Sequence, residues 1–251
     1  MVEDLKLDKK ISGVTIIQGF PGFGLVGTIA TEFLINHLKT DMIGKIWFED
    51  VSPSIAIHQG KMVYPLEVHF SKKFNLLILH TMATTKNQEW KLADIILKLA
   101  KEVKAKQIIS LEGVSSTMKE NNERIFFFSN REKITNDMKK LEATHLNEGI
   151  IMGVTSAMFL KSDMPFSSVF AETYSQLPDS KAAAGIIKFL DGYLGLNVDY
   201  KPLLKTAEEF EQKIKSIMGK SKIAEGMQEK IQQECDKGKT LRHNDFVNYV
   251  G

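Results

Sequence analysis

The sharpest chemical suggestion in the chain lies between positions 22 and 27. Gly22-Phe23-Gly24-Leu25-Val26-Gly27 satisfies the G-x-G-x-x-G spacing, after a strand-like run and before a helix-like one. Glycines so placed let the backbone approach a phosphate, and the helix N-terminus behind them favours an anion. Glu49-Asp50 follows about where a ribose-binding acid is sought in that motif. The preceding strand, however, is expected to end before Gly19-Phe20-Pro21, which makes the turn longer than the dinucleotide fingerprint requires. Phe20 and Phe23 line it with apolar surface, so a structural turn or an interface loop is the preferred reading of the same residues.

Other chemistries are carried less well. Gly219-Lys220-Ser221 resembles the end of a P-loop, but the motif's first glycine would fall on Ile214, in a helical stretch. The six histidines are scattered, and His145 with Glu148 is a weak metal-ligand spacing that reads better as a solvated helix face. With one cysteine, Cys235, there is neither a C-x-x-C zinc pair nor a disulfide framework. Ser156, in Gly153-Val154-Thr155-Ser156-Ala157, lacks the nucleophile-elbow spacing and reads as a turn residue. No catalytic residue, metal or cofactor is assigned. One constellation stays open. His80, Glu112 and Ser156 each follow an expected strand, and the carboxyl ends of strands in an open α/β sheet converge on a crevice. With Gly22, Phe23, Gly24 and Gly27 they would line one pocket. The alternative for His80 and Glu112 is a strand-end role satisfied by local hydrogen bonds.

These residues need a scaffold, and the hydrophobic pattern supplies one. Val14–Ile17, Ile43–Phe48, Asn75–His80, Gln107–Leu111, Ile125–Phe128 and Ile150–Val154 read as strands. Ser54–Ile57 and Met62–Phe70 read as a hairpin around His58-Gln59-Gly60-Lys61. Helical stripes follow the glycine turn through Val26, Ile29, Phe33 and Leu38, and run through Gln88–Val103, where Ala93, Ile96, Ala100 and Val103 step by three and four. Arg131–Leu141 is a weaker helix. Asp179 is placed to cap a helix from Ala182 to about Tyr193, with Gly195 just beyond. Strands alternating with helices predict an α/β fold with a mixed, mostly parallel sheet covered on both faces.

From Pro202 the texture becomes helical and highly charged. Leu203, Ala207, Phe210, Ile214 and Ile217 form a coiled-coil-like seam that must be buried on something, while Glu208, Glu209, Glu211, Lys213 and Lys215 are most simply its solvated face. The organisation expected is a core over 1–200 and a helical C-terminal arm and tail over 201–251. The chain has 33 basic and 31 acidic residues, a formal charge of +2, so no global charge drives it to nucleic acid or membrane. At 43% hydrophobic and 25% charged it matches a globular protein rather than a disordered one. No leader is apparent before Lys10 and no run approaches a spanning length, so the expected location is cytoplasmic.

Four blocks taken in order resemble one family. Gly19-Phe20-Pro21-Gly22-Phe23-Gly24-Leu25-Val26-Gly27 is similar to the opening signature of the archaeal relatives of proteasome assembly chaperone two. Leu111-Glu112-Gly113 resembles a second block, Pro178–Ala184 with Leu190–Leu196 a third, and Pro202–Glu209 the start of the family's terminal helix. The resemblance implies a three-layer α/β/α fold of the phosphorylase/hydrolase-like kind. It also implies self-association, and binding to proteasome α subunits or the assembled core particle without ATP. Partner contacts are then expected at Phe210 and Ile214 on the arm and at the tail residues Phe246, Tyr249, Val250 and Gly251. Proteasome-binding tails often end in an apolar residue, tyrosine and one more residue. Here Asn248 precedes Tyr249, which stands third from the end. The competing expectation is a small-molecule or nucleotide-binding α/β protein or enzyme that uses the glycine-rich turn at 19–27.

Overall fold

The computed structural model describes residues 7–46, 55–58, 61–82, 87–115, 124–173 and 178–201. In chain order the elements are β1 (Thr15–Gly19), α1 (Val26–His37), β2 (Asp41–Ile46), β3 (Ala56–His58), β4 (Lys61–Val63), β5 (Leu66–Ser71) and β6 (Leu76–Thr81). They continue with α2 (Glu89–Glu102), β7 (Gln107–Ser115), β8 (Ile125–Ser129), α3 (Glu132–Met138), β9 (Thr144–His145), α4 (Gly153–Lys161), β10 (Phe166–Thr173) and α5 (Ser180–Leu194). A single 3-10 turn, Phe23–Leu25, leads into α1.

Eight strands form one sheet in the order β2-β5-β6-β1-β7-β10-β8-β9. Its centre, β6-β1-β7-β10, is parallel. β5 runs antiparallel to both β2 and β6, and β8 antiparallel to β10, so the sheet is mixed as expected. Central strands flanked on both sides must be apolar on both faces, and β6 and β10 are buried at every position. Strand alternation divides the core in two. Val14, Ile16, Leu77, Leu79, Ile108 and Phe166 pack against Leu92, Ile96 and Leu99 of α2 and against Val154 and Met158 of α4. The equally buried Ile17, Ile78 and Ile109 turn to the other face, where α1 and α5 pack on each other. The result is the three-layer α/β/α arrangement. Each such side chain contributes about 1.5–3 kcal/mol when fully buried, so the two aliphatic layers dominate the fold.

Helix α5 begins and ends as its sequence dictates. The Asp179 carboxylate accepts from the Ala182 amide at 3.0 Å, and Gly195 takes the left-handed conformation (φ 64°) that closes the helix. Other expectations need correction. Ile150–Val154 is not a strand: Ile150 is 91% and Met152 70% exposed, and Gly153 opens α4. The apolar run that imitates a strand ends in an outward-facing approach to a helix. Met62–Phe70 is not one strand either. Pro65 separates β4, which pairs only with β3 in a small two-stranded sheet, from β5 in the main sheet. The helix expected over Arg131–Leu141 is shorter, Glu132–Met138. The arm expected over 201–251 lies, beyond Lys201, outside the described residues.

Candidate functional site

The glycine turn is packed shut by the protein itself. A Cβ on Gly19 would overlap the Gly27 carbonyl, one on Gly27 would overlap the Leu111 carbonyl, and one on Gly113 would overlap the Phe23 carbonyl. The first turn of α1 thus rests directly on the backbones of β1 and β7. Gly24 has φ +60°, and its Cβ would sit 2.8 Å from Thr173 Oγ1. Its carbonyl accepts from the Asp179 amide at 2.8 Å, and the Leu25 amide donates to Gly22 at 3.0 Å. Glycine spacing here serves helix-to-strand contact and a left-handed turn. Of the four glycines in the expected pocket or beside it, only Gly22 has open space around it, and the neighbouring Phe23 is 41% exposed.

His80 and Glu112 do not share a crevice. His80 faces α1: Thr31 Oγ1 lies 2.9 Å from its Nδ1 and Glu32 Oε2 lies 3.1 Å from its Nε2. Hydroxyl, imidazole and carboxylate in that order have the connectivity of a nucleophilic triad. Thr31, however, is fully buried and its hydroxyl also lies 2.9 Å from the Gly27 carbonyl within its own helix. No substrate atom can reach it, and the chain ties β6 to α1.

Glu112 points to the opposite face, towards α4, and joins a polar track across the carboxyl half of the sheet centre. Gln18 Nε2 donates to Ser110 Oγ at 3.3 Å, and Ser110 Oγ lies 3.2 Å from Glu112 Oε1 and 2.7 Å from Thr155 Oγ1. Thr155 Oγ1 also donates to Glu112 Oε1. Strand alternation places Gln18, Ser110 and Glu112 in one row because β1 and β7 pair in register, Gln18 opposite Ser110. Burial pushes the Glu112 carboxyl up to about 7, against the opposing hydrogen bonds from Thr155 and Ser110. Gln18 Oε1 is buried and finds no hydrogen-bond partner among the described residues. The track can hold a proton near neutral pH.

Ser156 stands one residue from this track but on the outer side of α4, in a shallow hollow of about 210 Å³ with Glu89, Trp90 and Gly153. It is a helical residue, not a strand-end turn; Thr155 takes the position expected for it. Gln18, Ser110 and Thr155 carry no local sequence signal that singles them out. The signal for the first two is the parallel register of β1 on β7, which no local pattern prints. Phe210, Ile214, Phe246, Tyr249, Val250 and Gly251 lie outside the described residues, as do Glu49 and Asp50. Among the described residues no three His, Cys, Asp or Glu side chains are grouped to hold a metal ion.

Fold and site together define an α/β/α protein whose glycine-rich strand-to-helix turn is an internal packing joint. The chain belongs to the PAC2 family, whose model matches residues 16–218. It is similar, with 27% identity over 224 residues, to an uncharacterized protein of Methanocaldococcus jannaschii, covering 86% of this chain and 92% of that one. Among solved structures it is similar to Pyrococcus furiosus PbaA, an archaeal homolog of proteasome-assembly chaperone. The identity is 27%, the TM-score 0.80, and the match covers 89% of this chain and 100% of that chain. Pyrococcus furiosus PbaB, an archaeal proteasome activator, shares the fold at TM-score 0.72 and 20% identity, with 86% of this chain and 98% of that chain covered.

Proposed function

We infer that this chain is a non-enzymatic, proteasome-assembly-chaperone-like protein that binds proteasome α subunits or the core particle without ATP and associates with itself. The observation that carries the reading is the likeness, across 89% of the chain, to the Pyrococcus furiosus homolog of proteasome-assembly chaperone. Two features of the chain support it. The glycine turn has its interior filled by Leu111, Thr173 and Asp179, which removes the main argument for a nucleotide. Apolar side chains stand outward at Phe23, Trp90, Ile150, Met152 and Leu160, as surface complementarity requires. Such surfaces would cover an α subunit until its proper neighbour displaces them. The setting proposed is cytoplasmic; no helix among the described residues is long and apolar enough to cross a membrane.

The test is co-purification with archaeal α subunits, using the full chain and a chain lacking 247–251. Binding lost on deletion assigns the contact to Tyr249 and its neighbours. Binding retained assigns it to the body or to the segment around Phe210 and Ile214. Absence of binding in both forms sinks the reading. The second reading, a small-molecule site, is favoured by one observation: Gln18 Oε1, in the track that runs through Ser110 to Glu112, has no hydrogen-bond partner among the described residues. It would use that track rather than the glycine turn. A ligand retained on Glu112→Gln would count against it.

A further inference from the structure

Residues 149–160 contain no Asp, Glu, Lys, Arg or His, in a chain that is 25% charged. They run into and along α4, whose Val154, Thr155, Ala157 and Met158 are buried. The outward side of the stretch is not polar either. Among the described residues, three of the four most exposed large apolar side chains are Ile150, Met152 and Leu160. A helix that lies between a sheet and water ordinarily shows a charged outer face, as α2 does with exposed Asp94, Lys98 and Lys101. Apolar inside and out, α4 has the pattern of a helix covered on both faces.

Helix α2 lies beside α4 and runs the same way. Glu89 and Trp90 of its first turn share the hollow of about 210 Å³ with Gly153, Ser156 and Ala157. Lys101 of its last turn, and Lys104 just beyond, share a second hollow with Lys161, Asp163 and Met164. The two ends of this seam differ in charge. Glu89 is the one charged residue among those that line the first hollow. At the second, Lys161 is paired with Asp94 at 2.6 Å, and Lys101 and Lys104 outnumber Asp163. One end is thus acidic and the other basic on balance, with the uncharged outer face of α4 between them.

We propose that this face pairs with a second copy of the chain, α4 laid antiparallel on α4 across a two-fold axis that passes between Ser156 and Leu160. The proposal rests on the self-association inferred above and names the surface that makes it. A two-fold contact requires a surface complementary to itself. The charges meet that demand in one direction only. With the helices antiparallel, the acidic end of each copy lies over the basic end of the other and the helix dipoles oppose. With the helices parallel, like ends would meet. Shape fits the same axis. The partner's Leu160 would enter the first hollow beside Ser156 and Ala157, where Gly153 has open space around it, and symmetry supplies the reverse contact. Residues 149–160 carry no charge to be buried unpaired. A contact built on one nine-residue helix is small, so the copies are expected to part at about micromolar concentration, leaving Leu160 in water when dilute.

The test is sedimentation velocity of the full chain over a concentration series. Leu160→Asp is expected to raise the dissociation constant of the pair about thirtyfold or more, since each pair carries the change twice, with circular dichroism unaltered. Glu89→Lys should weaken pairing about tenfold, and adding Lys101→Glu with Lys104→Glu should restore it. In chains that also carry Cys235→Ser, copies with Ser156→Cys mixed under oxidation with copies with Leu160→Cys should link to each other in preference to their own kind. Self-association unchanged by Leu160→Asp overturns the choice of face while self-association itself stands. Failure of the charge exchange to restore pairing, or linkage of like with like, overturns the antiparallel arrangement. A chain that stays monomeric throughout the series overturns self-association as well, whatever α subunits it co-purifies with.

Discussion

Between β1 and α1 the chain uses glycines to bring backbones into contact; between α2 and α4 it leaves Trp90 and Leu160 facing outward. From sequence the glycine turn suggests a ligand, whereas α2 reads as an ordinary core-facing helix and α4 is not anticipated at all. The structure reverses the emphasis. Gly19, Gly27 and Gly113 occupy places where any side chain would strike a carbonyl, so the turn is filled by the protein. The seam carries exposed apolar surface at Trp90 and charges of both signs, Lys101 and Lys104 with Glu89 and Asp163. A glycine pattern reports closeness, and only the geometry says whether the close object is a phosphate or another strand.

The comparison can be broken most forcefully at Gly27. It lies within α1, where alanine would gain about 1 kcal/mol of helix propensity, yet the overlap with Leu111 should dominate. Gly27→Ala is expected to lower unfolding stability by about 3 kcal/mol or more in urea titrations. Gly22→Ala, with only the Phe20 carbonyl at 4.0 Å, should stay within about 1 kcal/mol. Equal costs at the two positions would mean that the turn is not closed by packing.

Glu112 lies between the two regions and tests them by pH. Its carboxyl is raised from 4.5 to about 7 in the fold. The folded chain therefore holds a proton there that the unfolded chain releases, and the stabilisation is complete below pH 4.5. It is lost as pH rises through about 7, by about 3 kcal/mol. Glu112→Gln should abolish this component of the slope in denaturation curves between about pH 4.5 and 7. A slope unchanged by the substitution would show that Glu112 stays ionised.

Smaller effects sharpen the contrast. Asp179→Ala removes the α5 cap and the partner of Thr173 Oγ1 at 2.8 Å, and should cost about 1 kcal/mol, read as a lowered Tm. Leu160→Ser and Ile150→Ser should change stability by less than about 0.5 kcal/mol in the same assay, since both side chains are already in water. A cost above 1 kcal/mol at either would show that the outer face is covered.

What is legible in the sequence follows the same physics. β1, β6, α2 and α5 carry strong local signals: β-branched or leucine runs, a clean helical stripe, and a cap at Asp179 with Gly195 as stop. β10 escapes a local reading because Ser167, Ser168, Glu172 and Thr173 make half of it polar, yet the strand is buried throughout. Ser168 Oγ donates to the Ser110 carbonyl at 3.4 Å, whereas Ser167 Oγ is buried and finds no hydrogen-bond partner among the described residues. The start of α4 reads as a strand because Ile150–Val154 is apolar and partly β-branched, and nothing local says that Ile150 faces out. At the candidate site Glu112 is legible as a strand residue near a glycine. Its partner Thr155 depends on α4, and Gln18, which reaches it through Ser110, depends on long-range pairing. The separation of His80 from Glu112 depends on which way each strand's alternation falls, which a shift of one residue reverses.

The position of β1 also dictates an order of assembly during synthesis. It precedes the other described strands in the chain and lies at the sheet centre, where Thr15 pairs with Leu76 on one side and Gln107 on the other. Gly19 and Gly27 reach their contact with β7 only after Leu111 has been made, and β7 then awaits β10 through Thr173. A ribosome-bound chain that stops before residue 107 therefore displays β1 as an open edge, the kind of surface that invites wrong partners. A member of a family likened to assembly chaperones thus needs its own late-made strands to shield its first one.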